Sequence, residues 1–388
     1  MHIAFATLPA HGHINPTLPL VRELVRRGHR VGYAVNEAFH PTVESAGATA
    51  LALPGEIPFA EFGNAASGQS GVNPADMSRV LDFFLTSTRD GVTALEERFT
   101  AERLGLPGIA LHSTHAGHEN MSLLDMLPGA PDAVPGGSAG FPADMQEIVP
   151  LMQRMSEQLA ADLGVKRVSP MEGAPAPLNI VFIPREFQFA GDTFDERFHF
   201  VGPSIGIRDT DDSWQAPEPG RPLLFISLGT AFNNQPDFFR DCLKAFGDGM
   251  WRVAMAVGDH VDVSLLGPVP GNFDVRPSFP QPAVLRDADV FLTHAGMNST
   301  MESLYFGVPM VAVPQMAEQE ANARRAEDLG YALRLDNAGI TAGLLRGSVD
   351  QVHADQHIRG NVTEMSKKLR AAGGAVAAAD ALEAHLAN

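Results

Sequence analysis

A single cysteine, Cys242, stands in 388 residues, so no intrachain disulfide framework can form and a reducing, cytoplasmic setting is expected. Long apolar runs are missing as well. No stretch reaches the roughly 18 consecutive apolar residues that a membrane-spanning helix needs. The first residues lack a basic segment, and His11, Gly12, His13 and Asn15 interrupt their apolar character, so no signal peptide is expected. Positive charge is scarce too: 28 Lys and Arg face 46 Asp and Glu, for a net charge of −18. Nucleic acid or an anionic membrane would need a Lys/Arg-rich face, so neither is an expected partner. Apolar residues, by contrast, make up 45%, which excludes a disordered chain. At roughly 100–200 residues per domain, the length points to two domains.

What is present is a repeated strand–helix rhythm. Near the start, His2 to Thr7, Arg30 to Val35 and Ala48 to Leu53 read as strands. A helix between the first two is expected to be capped by Asn15 and opened by Pro16, with Leu18, Val21, Leu24 and Val25 on its apolar face and Gly28 at its end. Further strands are read at Leu223–Ser227, Trp251–Val257, Phe273–Arg276, Asp289–Thr293, Met310–Val313 and Ala332–Leu335. Helices are read between them at Pro236–Phe246, Asn298–Phe306 and Gln319–Leu329. Short apolar strands alternating with helices predict an α/β protein of two doubly wound, Rossmann-like parallel-sheet domains, with a ligand cleft between them at the strand C-termini. Arg208 to Pro222, with its Asp and Pro residues, reads as the linker. Gly63–Pro74 and Pro128–Pro142 read as loops.

The stretch Phe291–Glu302 carries the strongest chemical signal. A strand enters a small polar turn and a helix begins near Asn298, leaving backbone N–H groups free to receive phosphate oxygens, with Gly296 permitting close approach. Asn298, Ser299 and Thr300 can add side-chain donors. His294 can donate to a phosphate and stabilise a leaving diphosphate, and Glu302 can accept from ribose hydroxyls. Ser227, Gly229 and Thr230 end another strand and can approach the same diphosphate. Glu318 and Gln319, at a third strand end, suit sugar hydroxyls. In the first strand-to-helix loop, His13 has the ordinary pKa range of a general base for an acceptor hydroxyl. His112, His115 and His118 are spaced by three residues, but no cysteine or placed carboxylate completes a metal set, so no metal is expected. His112 and His115 are instead candidates for an acceptor pocket. So is Met121, the first of five methionines up to Met155 that suit a large hydrophobic ligand.

In order, the chain shows His11-Gly12-His13-Ile14-Asn15-Pro16, then Ser227-Leu228-Gly229-Thr230, then Thr293-His294-Ala295-Gly296 with Ser299 and Glu302, then Val313-Pro314-Gln315 with Glu318-Gln319. This series resembles the GT-B glycosyltransferases that use nucleotide sugars, and most of all the bacterial macrolide (oleandomycin-type) enzymes, over nearly the whole chain. The resemblance implies an acceptor-binding domain over 1–207, a linker over 208–222, a donor-binding domain over 223–374 and a C-terminal helix over 375–388 packing back on the first domain. It implies inverting, metal-independent hexose transfer to a hydroxyl of a lipophilic natural product, such as a macrolide or phenolic, with no cofactor beyond a UDP- or dTDP-linked sugar. His13 would be the base. Thr230, His294, Gly296, Asn298 and Ser299 would hold the diphosphate, Glu302 the ribose, and Glu318 and Gln319 the sugar. A monomer or homodimer is expected. The alternatives are an inactive helper of the same fold and a UDP-sugar epimerase.

Two departures stand out. The family's Trp-Val-Pro-Gln segment, whose tryptophan stacks on the donor base, is here Ser278-Phe279-Pro280-Gln281, so Phe279 and Gln281 are the base-side candidates. The family also orients its histidine with an aspartate at a strand end. Here Ala75–Leu104 reads as one helical pattern broken only by Gly91, running directly into the strand Gly108–Leu111. No aspartate partner for His13 can be named.

Overall fold

A computed structural model describes residues 1–7, 10–52, 106–118, 121, 176–205, 214, 220–230 and 233–387. The loops read at 63–74 and 128–142, the long helical pattern at 75–104, most of the linker and the methionines from Met126 to Met155 lie outside the described residues. The chain divides into two compact units: residues 1–204 with 375–388, and residues 205–374.

In the first unit, β1 (His2–Ala6) leads through a single helical turn, α1 (His11–Ile14), into α2 (Leu18–Arg26) and β2 (Arg30–Val35). Then follow α3 (His40–Ser45), β3 (Thr49–Ala52), β4 (Ile109–His112), β5 (Leu178–Val181) and β6 (Phe198–Phe200). The helix expected to start at Asn15 and Pro16 starts instead at Leu18, with Thr17 as its N-cap residue. The reason is local. Ile14 is fully buried, and the Thr17 hydroxyl donates to the Ile14 carbonyl (2.8 Å) and bonds the buried Tyr33 hydroxyl (2.7 Å). The chain therefore makes a pinned turn before the helix proper begins. The strands pair in parallel as two three-stranded sheets, β1-β2-β3 and β4-β5-β6, which share one core containing Phe5, Val31, Tyr33, Leu178 and Ile180.

The second unit runs β7 (Leu223–Ser227), α4 (Pro236–Phe246), β8 (Arg252–Ala256), β9 (Phe273–Arg276), α5 (Gln281–Asp287), β10 (Val290–Thr293), α6 (Met297–Phe306), β11 (Met310–Ala312), α7 (Ala317–Asp328), β12 (Ala332–Arg334), α8 (Ala342–Ala354) and α9 (Gln356–Ala371). Its strands form one parallel sheet in the order β12-β11-β10-β7-β8-β9. Every residue of β7, β10 and β11 is buried, the signature of central parallel strands covered on both faces. Cys242 is fully buried on the apolar face of α4 beside Phe239 and Phe246. α6 stops at Gly307, which takes the left-handed conformation (φ 75°) that closes a helix without steric cost, and the Val308 N–H donates back to the Ser303 carbonyl (2.9 Å).

The last helix, α10 (Gly374–Ala387), returns to the first unit. Ala378, Ala379 and Leu382 enter its core. Arg27 bonds Asp380 and Glu383 (2.7 Å each), and His29 bonds Glu383 (2.7 Å). These ion pairs are partly exposed, so the buried apolar residues supply most of the attachment. Among the described residues, no helix is long and apolar enough to cross a membrane.

Candidate active site

In the second unit, Thr293 of β10 pairs in register with Ser227 of β7, so two turns leave adjacent parallel strands side by side. One turn carries Ser227 and Gly229, the other His294, Ala295 and Gly296. The His294 ring is buried between the two glycines: a Cβ built on either Gly229 or Gly296 would lie 2.5 Å from His294 Nε2. Gly229 also has φ 78°, a second reason that only glycine fits there. Its N–H donates to Ser227 Oγ (3.2 Å), and its carbonyl accepts from the buried Asn233 (2.8 Å). Thr230 follows on the surface.

Burial lowers the pKa of His294 to about 4, opposed in part by a hydrogen bond to the Ser227 backbone. The ring is therefore uncharged at neutral pH, and it can stabilise a leaving diphosphate only as a neutral N–H donor, not as a cation. Its Nδ1 is buried with no partner among the described residues. Gly296 is the N-cap residue of α6, and the Thr300 N–H makes the first helical bond to its carbonyl (2.9 Å). The N–H groups before that bond lie at the open end of the helix, where an anion is favoured, and Asn298 and Ser299 belong to the same first turn.

One helical turn further on, Glu302 is buried, and Gln281 at the start of α5 reaches both it and its neighbour. Gln281 Nε2 donates to Glu302 Oε2 (2.8 Å) and to Ser299 Oγ (3.2 Å). Three residues singled out by sequence thus meet. Phe279, two residues before Gln281, lies edge-on to Trp214 (6.3 Å) and Phe225 (6.1 Å), with the Arg276 guanidinium over its ring at 5.1 Å. Asp274 holds that guanidinium with two bonds (2.8 and 2.7 Å) and accepts from the Trp214 indole (3.3 Å). Trp214 and Arg276 carry no sequence signal of this role. At the start of α7, Glu318 Oε1 accepts from Asn322 (2.8 Å), and Gln319 Oε1 accepts from the Gln315 backbone N–H (2.8 Å), leaving the Gln319 amide nitrogen for other partners.

In the first unit, His13 sits half-buried on α1, its backbone fixed by the buried Ile14 that follows. Its Nδ1 lies 3.0 Å from Ser113 Oγ, just past the end of β4. Burial lowers the His13 pKa below its ordinary value. With Nδ1–H donated to the serine oxygen, Nε2 presents its lone pair and can take a proton. Sequence reasoning does not single out Ser113. The available signal was its position after a parallel strand, where ligand-binding residues gather.

The other histidines go separate ways. His112 bonds Asn179 (3.2 Å), and burial lowers its pKa with that bond acting against the shift. His115 is buried between Phe187 (5.7 Å) and Phe189 (4.8 Å). His118 bonds Thr193 (2.9 Å) and pairs through backbone bonds with Met121, which is half-buried.

Residues 250–370 match the family model described as UDP-glucoronosyl and UDP-glucosyl transferase. The chain is 39% identical to the NDP-glycosyltransferase YjiC of Bacillus subtilis, over 99% of this chain and 97% of that protein. It is 31% identical to the oleandomycin glycosyltransferase of Streptomyces antibioticus, over 99% and 91% respectively. Among solved structures, the calicheamicin glycosyltransferase CalG4 superposes with a TM-score of 0.79 at 31% identity, covering 100% of this chain and 98% of that one. With its two parallel α/β units and these full-length relatives, the chain belongs to the UDP-glucuronosyl and UDP-glucosyl transferase family and is a nucleotide-sugar glycosyltransferase of the GT-B fold.

Proposed function

We propose that the enzyme is an inverting, metal-independent hexosyltransferase. It moves a hexose from UDP-glucose, or from a dTDP-linked deoxysugar, to a hydroxyl of a hydrophobic natural product such as a macrolide or phenolic. The observation that carries this reading is the His13–Ser113 bond, which leaves the other ring nitrogen of an uncharged histidine available as base. That nitrogen takes the acceptor O–H proton while the oxygen attacks the anomeric carbon from the face opposite the leaving group. The bond from that carbon to the diphosphate oxygen breaks, and the electron pair leaves with the nucleotide. The N–H groups at the start of α6 and the neutral His294 ring receive the charge that develops there. Glu302 holds the ribose, and Glu318 with Gln319 the sugar. Relatives that bear the names oleandomycin glycosyltransferase and demethyllactenocin mycarosyltransferase support a large, apolar acceptor.

The test is turnover of UDP-glucose and dTDP-glucose against a panel of phenols and macrolides, in chelator, with the product's anomeric configuration read by NMR. A β-glucoside formed from an α-linked donor at undiminished rate in chelator is the expected result. A retained α-configuration or loss of activity in chelator would overturn the mechanism.

A further inference from the structure

Asn322 is fully buried on α7, one turn beyond Glu318. Its amide nitrogen carries two protons and both are placed. One goes to the Ala295 carbonyl at 3.1 Å, the other to Glu318 Oε1 at 2.8 Å. Ala295 is the middle residue of the turn that holds His294 and Gly296. It has φ 61°, a left-handed conformation that a residue with a side chain keeps only when its surroundings fix it. β11 and α7 supply that fixation: the Ala295 methyl packs with Ala312 of β11 and with Ala323 of α7, the residue after Asn322, while Asn322 itself grips the carbonyl.

We infer that Asn322 is a positioning residue that couples the diphosphate-binding turn to the sugar-binding carboxylate, so that the two ends of the donor are recognised by one rigid unit. The inference rests on the reading of Glu318 as a sugar contact. Tethering one carboxylate oxygen sets the plane of the group and hence the direction in which it meets a sugar hydroxyl. Tethering the Ala295 carbonyl sets where the following N–H groups point. Selection between sugars that differ at one hydroxyl then depends on a side chain that touches neither the sugar nor the diphosphate.

The experiment is calorimetric titration of UDP, UDP-glucose and UDP-galactose into the full chain and into Glu318→Gln, Asn322→Ala and Asn322→Leu. Asn322→Leu keeps the side-chain size, removes both N–H donors and adds no charge at a fully buried position beside Glu318, so it decides the matter where the alanine variant leaves a cavity and fails to fold. Glu318→Gln is expected to shrink the preference between the two epimeric donors while leaving UDP affinity unchanged. Asn322→Leu is expected to shrink that preference and also to weaken UDP by about tenfold, the loss that follows a missing hydrogen bond to a buried partner. UDP affinity and epimer preference both at wild-type values in Asn322→Leu would overturn the inference. If Glu318→Gln leaves the preference intact, the sugar role of Glu318 falls by itself, and UDP binding to Asn322→Leu still shows whether Asn322 holds the turn.

Discussion

The two units follow one plan and carry it through differently. The second closes a single six-stranded parallel sheet, whereas the first, among its described residues, shows two three-stranded sheets with β1 and β4 at their edges. The donor-side groups come from turns after β7, β10 and β11, and the pairing of Thr293 with Ser227 and with Ala312 sets their spacing. Such a site depends on neighbouring strands staying in register. The proposed acceptor-side chemistry would rest on less: one imidazole, held by the turn after β1 and by a serine after β4. On the proposed mechanism, nucleotide recognition would be spread over a continuous sheet, while proton removal would be concentrated in a pair of side chains.

That contrast makes separable predictions. The largest effect belongs to the first unit: His13→Ala should lower kcat by about 100- to 10,000-fold, the range for a general base, with UDP affinity unchanged by calorimetry. Retained turnover would reject His13 as base. Next is the second unit, where Gly296→Ala places a Cβ 2.5 Å from His294 Nε2 and must displace a buried ring packed against Gly229. UDP affinity should fall by about 100-fold, in line with roughly 1–3 kcal/mol for overpacking a filled site. Wild-type affinity would show that the turn is not the diphosphate site. Glu302→Ala should cost about 1–3 kcal/mol of nucleotide binding by leaving ribose hydroxyls and Gln281 without their acceptor. A variant of either unit that produced the other unit's phenotype would break the comparison.

The same contrast explains what could be read from the residues. The central strands β7, β8, β10 and β11 were legible because such strands are apolar on both faces, and a helix end such as Gly28 announces itself. The cluster of Gln281, Ser299 and Glu302 was legible as separate candidates on two short motifs, although not as a hydrogen-bonded set. Ser113 and Asn322 were not singled out. Their partners lie 100 and 27 residues away, and no local period or spacing encodes a contact made by tertiary packing. The helix start was misplaced at Asn15 because Thr17 spends its hydroxyl on Ile14 and Tyr33, a choice set by the buried neighbour rather than by capping preference.

The smallest effect concerns the tautomer of His13. A carboxylate beside Nδ1 would fix a proton there and favour the charged ring, whereas a serine hydroxyl can donate or accept and adds no charge. Burial, with no carboxylate among the described residues to offset it, holds the His13 pKa below 6.5. The base thus stays unprotonated to lower pH, and the acid limb of kcat/KM should fall below that value. Ser113→Ala should lower kcat only about fivefold, the worth of one neutral hydrogen bond, without moving that limb upward. Ser113→Asp should raise the His13 pKa and carry the acid limb to higher pH, because a negative charge stabilises the imidazolium. A limb that stays in place in Ser113→Asp, with UDP affinity unaltered, would mean that the serine does not address the base, and the partner of His13 would then have to be sought elsewhere in the first unit.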